Sequence, residues 1–280
     1  MSIGLKQRDL AIVLRSVAYE ERHRVVTAIT ENHGMVSALA RNSIQSRRFG
    51  GTLELFTASE WSFTQKPGTE LLILEQAEIK MSFEGLRKDF EKLSMASVFS
   101  ELMLKLAPQL SPAPELFKLH SNALLALEEA DHAPIQLLNA YLAKLLQWSG
   151  SQPKLMACMH CEKSLTSLDE NQAVSCVIQD AGWICPECRG VDTRHVRDRG
   201  ASAFDQSLLR VMPFAIVDFL LSLSVPIRQI VGNTRATKKD HQELFKFLEA
   251  LFIYHIPGFD RQPLKGLRFL ELDSGITAAK

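Results

Sequence analysis

Four cysteines in two close pairs are the residues of this chain best placed to do chemistry: Cys158 and Cys161 in CMHC, and Cys185 and Cys188 in CPEC. Two thiolates three positions apart on a tight turn can aim at one point, and two such knuckles together offer the four soft ligands that tetrahedral zinc prefers. Residues 162–184 separate the pairs. That interval is slightly longer than in the usual zinc ribbon, and a longer hairpin absorbs it because loop-closure entropy grows only logarithmically. Four protein ligands leave no open position for water, so the expected zinc stabilises structure and activates no nucleophile. Cys176 stands apart, either as a small core residue or as a replacement ligand. His160 and His195 lie near in sequence, but a complete cysteine set makes them unnecessary.

The second chemical feature is a local excess of cations. Residues 1–50 carry Lys6, Arg8, Arg15, Arg22, Arg24, Arg41, Arg47 and Arg48 against Asp9, Glu20, Glu21 and Glu31. On a small barrel with projecting loops, Lys6, Arg8, Arg15, Arg41, Arg47 and Arg48 could line a groove for a phosphate backbone, with bases stacking on Phe49, Trp61 or Phe63. The same residues also fit a normally charged β surface over core aromatics. Two further basic sets are weaker candidates: Arg228, Arg235, Lys238 and Lys239 around Gly232–Asn233, and Arg189, Arg194, Arg197 and Arg199 after the second knuckle. The acid pairs Glu20–Glu21 and Glu128–Glu129 read as solvated charge. No HExxH, GxxxxGK[ST], GxSxG or GxGxxG occurs, so the common metalloprotease helix, phosphate cradles and nucleophile elbow are missing.

The elements that must position these residues fall into three kinds. Five β-rich runs, Ala11 to Ala18, Val25 to Thr30, Met35 to Ala40, Thr52 to Phe63 and Glu70 to Ile79, are enough for a closed barrel of the OB type, which removes exposed edges. The connection Arg41 to Gly51 is long, polar and basic, and is expected to be mobile. From Phe83 the period becomes helical: Leu86, Phe90, Leu93, Phe99, Leu102, Met103 and Leu106 form one stripe on a single long helix ended by Pro108. Further helices are predicted over Glu115 to Glu129, Pro134 to Trp148, Phe204 to Leu223 and Asp240 to His255. The tail from Gly258 is expected to dock through Leu264, Leu267, Phe269 and Leu272. The chain therefore reads as an α+β multidomain protein, with an OB-fold barrel over 1–81, an α-helical domain over 82–154 and 191–280, and a zinc-binding module over 155–190.

The composition is consistent with this layout. The 280 residues are 46% hydrophobic and 23% charged, ordinary for a globular protein of more than one domain. Lys plus Arg and Asp plus Glu both total 32, so any electrostatic signal must be local. Five cysteines, an odd number, and the lack of a charged-then-apolar opening point to a reducing, cytoplasmic setting. The apolar run Val211 to Ile227 is short and broken by Pro213, Asp218 and Pro226. It reads as a buried helix, with no membrane anchor.

With the barrel, helices and late cysteine segment in that order, the chain resembles the bacterial RecO family, recombination mediators of the RecF pathway. The resemblance rests on AIVLRSVAYEERHRVVTAITENHGMVSALARN, on SRRFGGTLELF, and on the knuckles CMHC and ICPEC with Gly182 just before the second. It implies an amino-terminal OB-fold, a helical domain and a zinc module, with no enzymatic activity. It also implies binding to single- and double-stranded DNA in the cytoplasm and nucleoid, annealing of complementary strands, and loading of RecA with RecR onto strands covered by single-stranded DNA-binding protein, whose acidic tail the helical domain would engage. The family's zinc ligands fall on Cys158, Cys161, Cys185 and Cys188, and its basic barrel residues on Arg15, Arg41, Arg47 and Arg48. The glycine pair usual before the second knuckle is Ala181 and Gly182 here. Two other classes of function fit parts of the sequence: a protein-interaction adaptor with a structural zinc and no DNA affinity, and a zinc hydrolase, which would require an open metal position.

Overall fold

The computed structural model describes residues 6–44, 46–109, 112, 114–189, 209–230, 234–257, 259 and 264–270. The chain divides into two compact units, Met1–His132 and Ala133–Lys280.

The first unit is built on a closed five-stranded barrel: β1 (Gln7–Tyr19), β2 (His23–Thr30), β3 (Gly34–Ala40), β4 (Ala58–Thr64) and β5 (Leu72–Met81), ordered β1-β2-β3-β5-β4. Only β3 and β5 pair in parallel. The inside is filled by small residues on three strands, Ala11, Val13, Val26, Ala28, Ala38 and Ala40, against the large Trp61, Phe63, Leu72 and Leu74 of β4 and β5. This contrast of small and large lets a barrel of only five strands close around two aromatic rings. Trp61 satisfies its one polar atom by donating Nε1–H to Ser59 Oγ at 2.9 Å.

A bulge in β1 decides where the first internal arginine points. Val13 opposes Ala28 and Arg15 opposes Thr27, which leaves Leu14 as the extra residue. Strict alternation from the inward Ala11 and Val13 would aim Arg15 into the core, and the inserted residue turns it outward.

Three differences from the sequence expectations have local causes. The strand expected over Thr52 to Phe63 begins only at Ala58. Residues 52–57 instead fold across the barrel beside the bulge: Phe56 takes a left-handed φ of 68° and donates its N–H to the Val13 carbonyl at 2.9 Å, and Val13 donates to Thr57 at 3.1 Å. The basic loop before it is pinned, since Arg47–Phe49 form a 3-10 turn capped by Ser46 and the Phe49 ring is buried. The single long helix is two, α1 (Glu84–Lys88) and α2 (Phe90–Leu106), because Asp89 is extended and caps the second by accepting from the Lys92 N–H. Phe90 consequently leaves the apolar stripe and is exposed.

Helix α3 (Pro114–Glu129) completes the unit. Its last carbonyls are capped from outside: Lys92 Nζ donates to the carbonyls of Glu128, at 3.2 Å, and Ala130. Glu128 is not solvated as expected, because its carboxylate accepts the Gly85 N–H at 2.8 Å. Arg87 fastens α1 to the barrel through the Ser82 and Leu55 carbonyls and Thr57 Oγ1.

One buried carboxylate ties the β2–β3 turn to β1. Asp9, whose side chain is fully buried, accepts from the Asn32 N–H at 3.0 Å and Asn32 Nδ2 at 2.8 Å, and pairs with His33 Nδ1 at 2.6 Å. Burial by itself would raise the Asp9 pKa, but the donors from His33 and Asn32 outweigh it and hold the carboxyl below its ordinary value. A depressed folded pKa contributes stability above the unfolded carboxylate value that disappears as pH falls through the folded one. Asp9→Asn is therefore expected to cost about 1–3 kcal/mol at neutral pH and to flatten the acid side of the stability curve, as read by denaturant titration at several pH values.

The second unit holds α4 (Ile135–Trp148), a sheet of β6 (Val174–Val177), β7 (Gly182–Ile184) and β8 (Leu209–Val211) in the order β7-β6-β8, and helices α5 (Pro186–Arg189), α6 (Pro213–Ser224) and α7 (Lys238–His255). The helix expected from Phe204 starts only at Pro213. Proline suits the first helical turn and disfavours helix before it, so Leu209–Val211 pair with β6 instead. The start of that expected helix, Phe204 to Ser207 and Leu208, lies outside the described residues. Helix α7 opens with a capping box between Thr237 and Asp240. In the tail, Leu264 and Leu267 are buried as expected and Phe269 is exposed, while Leu272 and Gly258 lie outside the described residues. No helix among the described residues is long and apolar enough to cross a membrane.

Candidate functional site

The four sulfur atoms of Cys158, Cys161, Cys185 and Cys188 lie within 4.8 Å of one another, so the two knuckles converge on one point that could hold a metal ion. The first knuckle turns through a left-handed Glu162 (φ 58°), with Glu162 N–H donating to the Cys158 carbonyl at 3.0 Å and Cys158 N–H to the Lys163 carbonyl at 2.9 Å. It is fixed to the second by the Met159 N–H, which donates to the Trp183 carbonyl at 3.0 Å, and by the Cys185 N–H, which donates to Cys158 Sγ at 3.3 Å. Trp183, fully buried, braces the hairpin from behind by donating to the Leu155 carbonyl at 2.9 Å.

The spacing fits a tetrahedral ion of zinc's size. Metal–sulfur bonds of about 2.3 Å place the sulfurs of a regular tetrahedron about 3.8 Å apart, and Cys161 Sγ and Cys185 Sγ stand 3.7 Å apart. The electrostatics point the same way. Burial raises the Cys158 pKa, but N–H donors from Cys161, Cys185 and His160 outweigh it and bring the thiol down to about 6. Cys188 is pushed up to about 12, first by hydrogen bonding to Cys185 and Cys161, and Cys185 is pushed up by burial. One thiolate is thus ready while its neighbours resist ionising beside it, which is the situation that a central dication reverses. Cys176 is no ligand: it lies fully buried on β6 opposite Trp183, and burial pushes its thiol far up.

Ala181, in the position of the expected glycine pair, adopts a left-handed φ of 48°. A β-carbon at Gly182 would stand 2.4 Å from Met159 Sδ, so the Met159 side chain would have to move aside for any substitution there. Ala181→Gly should relieve about 1 kcal/mol of left-handed strain and raise the thermal midpoint of this unit, as scanning calorimetry of the variant would show.

The six cations singled out on the barrel are not one patch. Lys6 and Arg8 belong to the opening of β1, where Lys6 is already paired to Glu75 at 3.3 Å and Arg8 stands opposite Ser62 of β4. Arg15 lies about 20 Å farther along the strand, exposed and opposite Thr27 of β2. Arg41 follows the last residue of β3 and is exposed. Arg47 and Arg48 are exposed on the 3-10 turn, with the Arg48 guanidinium 4.8 Å from the Phe49 ring centre. Arg15, Arg41, Arg47 and Arg48 have no carboxylate partner among the described residues, whereas Arg24 is paired to Glu54 at 2.9 Å.

The aromatics expected to stack bases are not available for it. Phe49, Trp61 and Phe63 are 3%, 0% and 1% exposed and pack the barrel interior. The aromatic side chain on the outside of the same sheet is Tyr19, 49% exposed at the end of β1. Nothing in the local pattern marks it, because it sits at the turn beside Glu20 and Glu21, where a strand end reads as solvated. Of the weaker basic sets, Arg235 lies 3.7 Å from Glu170 and Arg189 is exposed. Arg194, His195, Arg197 and Arg199, and the turn at Gly232–Asn233, lie outside the described residues.

Comparison with known proteins matches two family models to the chain. Residues 1–83 match the family model described as Recombination protein O N terminal, and residues 87–262 match Recombination protein O C terminal. Similar proteins include the DNA repair protein RecO of Desulfatibacillum aliphaticivorans, 29% identical over 93% of this chain and 95% of its own length. That of Pelobacter propionicus is 32% identical over 75% of this chain and 82% of its own. The match to the RecO of Anaeromyxobacter dehalogenans (strain 2CP-C), at 38% identity, covers 54% of this chain and 59% of that relative's length.

Proposed function

The chain belongs to the RecO family, and from that premise we propose that it is a non-catalytic DNA-binding mediator of recombination and repair. It anneals complementary strands and helps RecR load RecA onto single strands covered by single-stranded DNA-binding protein. The observation that carries this reading is the set of arginines, Arg15, Arg41, Arg47 and Arg48, left without carboxylate partners among the described residues on an OB-like barrel. Guanidinium groups in that state cost nothing to redirect to phosphate, and each phosphate contact releases condensed counterions from the nucleic acid. Two strands held this way repel each other less, so complementary bases meet more often.

The ion held by Cys158, Cys161, Cys185 and Cys188 is zinc, and its role is structural. Soft thiolates select it, and four of them fill its coordination sphere. What it supplies when bound is the closure of a hairpin whose own apolar content is small. The acidic tail of single-stranded DNA-binding protein and RecR are the protein partners of this reading, which places the chain on the nucleoid.

The test is a strand-annealing assay with the purified chain and two complementary oligonucleotides at low and moderate ionic strength, with and without RecR and single-stranded DNA-binding protein. Annealing that accelerates with added chain and fades with salt supports the proposal. A chain that binds RecR or single-stranded DNA-binding protein but no oligonucleotide would instead be an adaptor.

A further inference from the structure

The four cysteines of the two knuckles are not equally accessible. Cys158 and Cys185 are buried, Cys188 is half-buried and Cys161 is exposed. Cys158 Sγ is also covered by the Cys185 N–H, which donates to it at 3.3 Å. A small solute therefore meets the sulfur of Cys161 first. That sulfur stands 3.7 Å from Cys185 Sγ in the other knuckle, and a disulfide requires about 2.05 Å, so closure brings the two sulfurs together by about 1.7 Å. An ion pair bridges the same edge: Lys163, two residues after Cys161, donates from Nζ to Glu187 Oε1 at 2.8 Å, and Glu187 Oε2 lies 3.4 Å from Cys185 Sγ. It ties the two knuckles together on this side independently of any metal. Two thioethers lie close by, on Met156, 67% exposed, and Met159, 37% exposed. They are no part of the four-sulfur set, so an oxygen atom added to either leaves that set intact.

We propose that Cys161 and Cys185 are a site of reversible oxidation by hydrogen peroxide, and that the disulfide between them releases the zinc. The Cys161 thiolate attacks one peroxide oxygen: an S–O bond forms, the O–O bond breaks, and the departing hydroxide takes a proton from solvent to become water. The Cys185 thiolate then attacks the sulfur of the resulting sulfenic acid. An S–S bond forms, the S–O bond breaks, and the second hydroxide takes a proton and leaves as water. The two thiolates supply the two electrons, and the peroxide is reduced to two waters. Zinc has no redox chemistry of its own and is held by charged sulfur. Disulfide sulfurs are neutral, and Cys158 with Cys188 makes only two ligands, so the ion leaves. A dithiol reductant returns both thiolates and with them the site.

The inference rests on the reading of the four cysteines as a zinc centre and adds to it a chemical trigger, the side from which that trigger arrives and the two sulfurs that answer it. Cys176 takes no part, being fully buried on β6 opposite Trp183.

The experiment takes the full-length chain, purified with zinc under reducing conditions and freed of reductant without air, and titrates it with hydrogen peroxide in the presence of a chromogenic zinc chelator. Free thiols are counted at each step, and disulfides are mapped by mass spectrometry of tryptic peptides. Trypsin cleaves after Lys163, between the knuckles, so the expected disulfide joins two peptides and one within a knuckle joins none. Wild type is expected to release all its zinc as two of its five thiols disappear, to yield the peptide pair linked through Cys161 and Cys185, and to take zinc up again after dithiothreitol. Cys176→Ser should match wild type in all three readings. Zinc retained after peroxide, with oxygen added only to the methionines or with no change at all, overturns the proposal and leaves the zinc centre standing. A first disulfide between any other pair of cysteines overturns it as well. A reduced wild-type chain that carries no zinc overturns the reading of the cysteines as a zinc centre, and this proposal with it.

Discussion

Cys185→Ser is expected to abolish the fold of the segment between Lys154 and Arg189 while leaving the barrel intact. Binding of zinc to a four-thiolate site contributes on the order of 10 kcal/mol to folding, and the core beneath these knuckles is thin. Besides the ligands themselves, Leu155, Leu165, Val174, Cys176, Val177, Ile178, Trp183 and Ile184 supply its buried apolar residues. Loss of one ligand leaves the coordination sphere open at one of its four positions, and it removes the side chain through which the second knuckle meets Cys161 at 3.7 Å. The measurements are zinc per chain by elemental analysis and the emission of Trp183. Wild type should carry one equivalent and bury the indole. The serine variant, or wild type stripped by a chelator, should lose the metal and show red-shifted emission. Full metal content with a buried Trp183 in the variant would show that the four sulfurs do not act together.

Single-strand affinity is expected to collapse with salt. Each phosphate neutralised contributes about −0.7 to the slope of log K against log salt for a single strand, so four to six contacts weaken binding about 50- to 300-fold between about 50 and 200 mM. Five of the proposed barrel cations, Arg8, Arg15, Arg41, Arg47 and Arg48, lack carboxylate partners among the described residues. Reversing charge at two of these, Arg47→Glu with Arg48→Glu, should lower affinity further at low salt than at high salt. Both side chains are exposed on a turn held by the buried Phe49 and the Ser46 cap, so the fold should survive. The Phe49 ring keeps its place in the core without the Arg48 guanidinium above it.

Much of this arrangement is legible in the residues, and what was not has identifiable physical causes. The convergence of the four cysteines follows from spacing alone, since two CxxC turns offer four sulfurs that could hold one ion. Barrel and helices follow from the change of period near Phe83. Arg15 illustrates the limit. Its outward direction depends on one extra residue, Leu14, and a bulge leaves no mark in a pattern of apolar residues. Trp61 and Phe63 share a face because they alternate on β4, but a single strand does not tell which face the barrel closes around. Asp89 breaks what reads as one helical stripe because an aspartate can be a solvated helix residue or an N-cap. The choice is made by the extended backbone at Asp89 and the Lys92 N–H that its side chain accepts. Leu209–Val211 form a strand through pairing with residues more than thirty positions earlier, a contact that local periodicity does not record.

The claim on which the account stands is that arginines of the barrel hold phosphates. The most direct test compares the slope of log affinity against log salt for oligothymidylate in wild type and in an Arg15→Gln, Arg41→Gln double variant of the full-length chain. The account predicts a steep negative slope in wild type that becomes shallower by about 1.4 in the variant, about 0.7 for each contact removed. A wild-type slope near zero, or a slope identical in the two proteins, would contradict it.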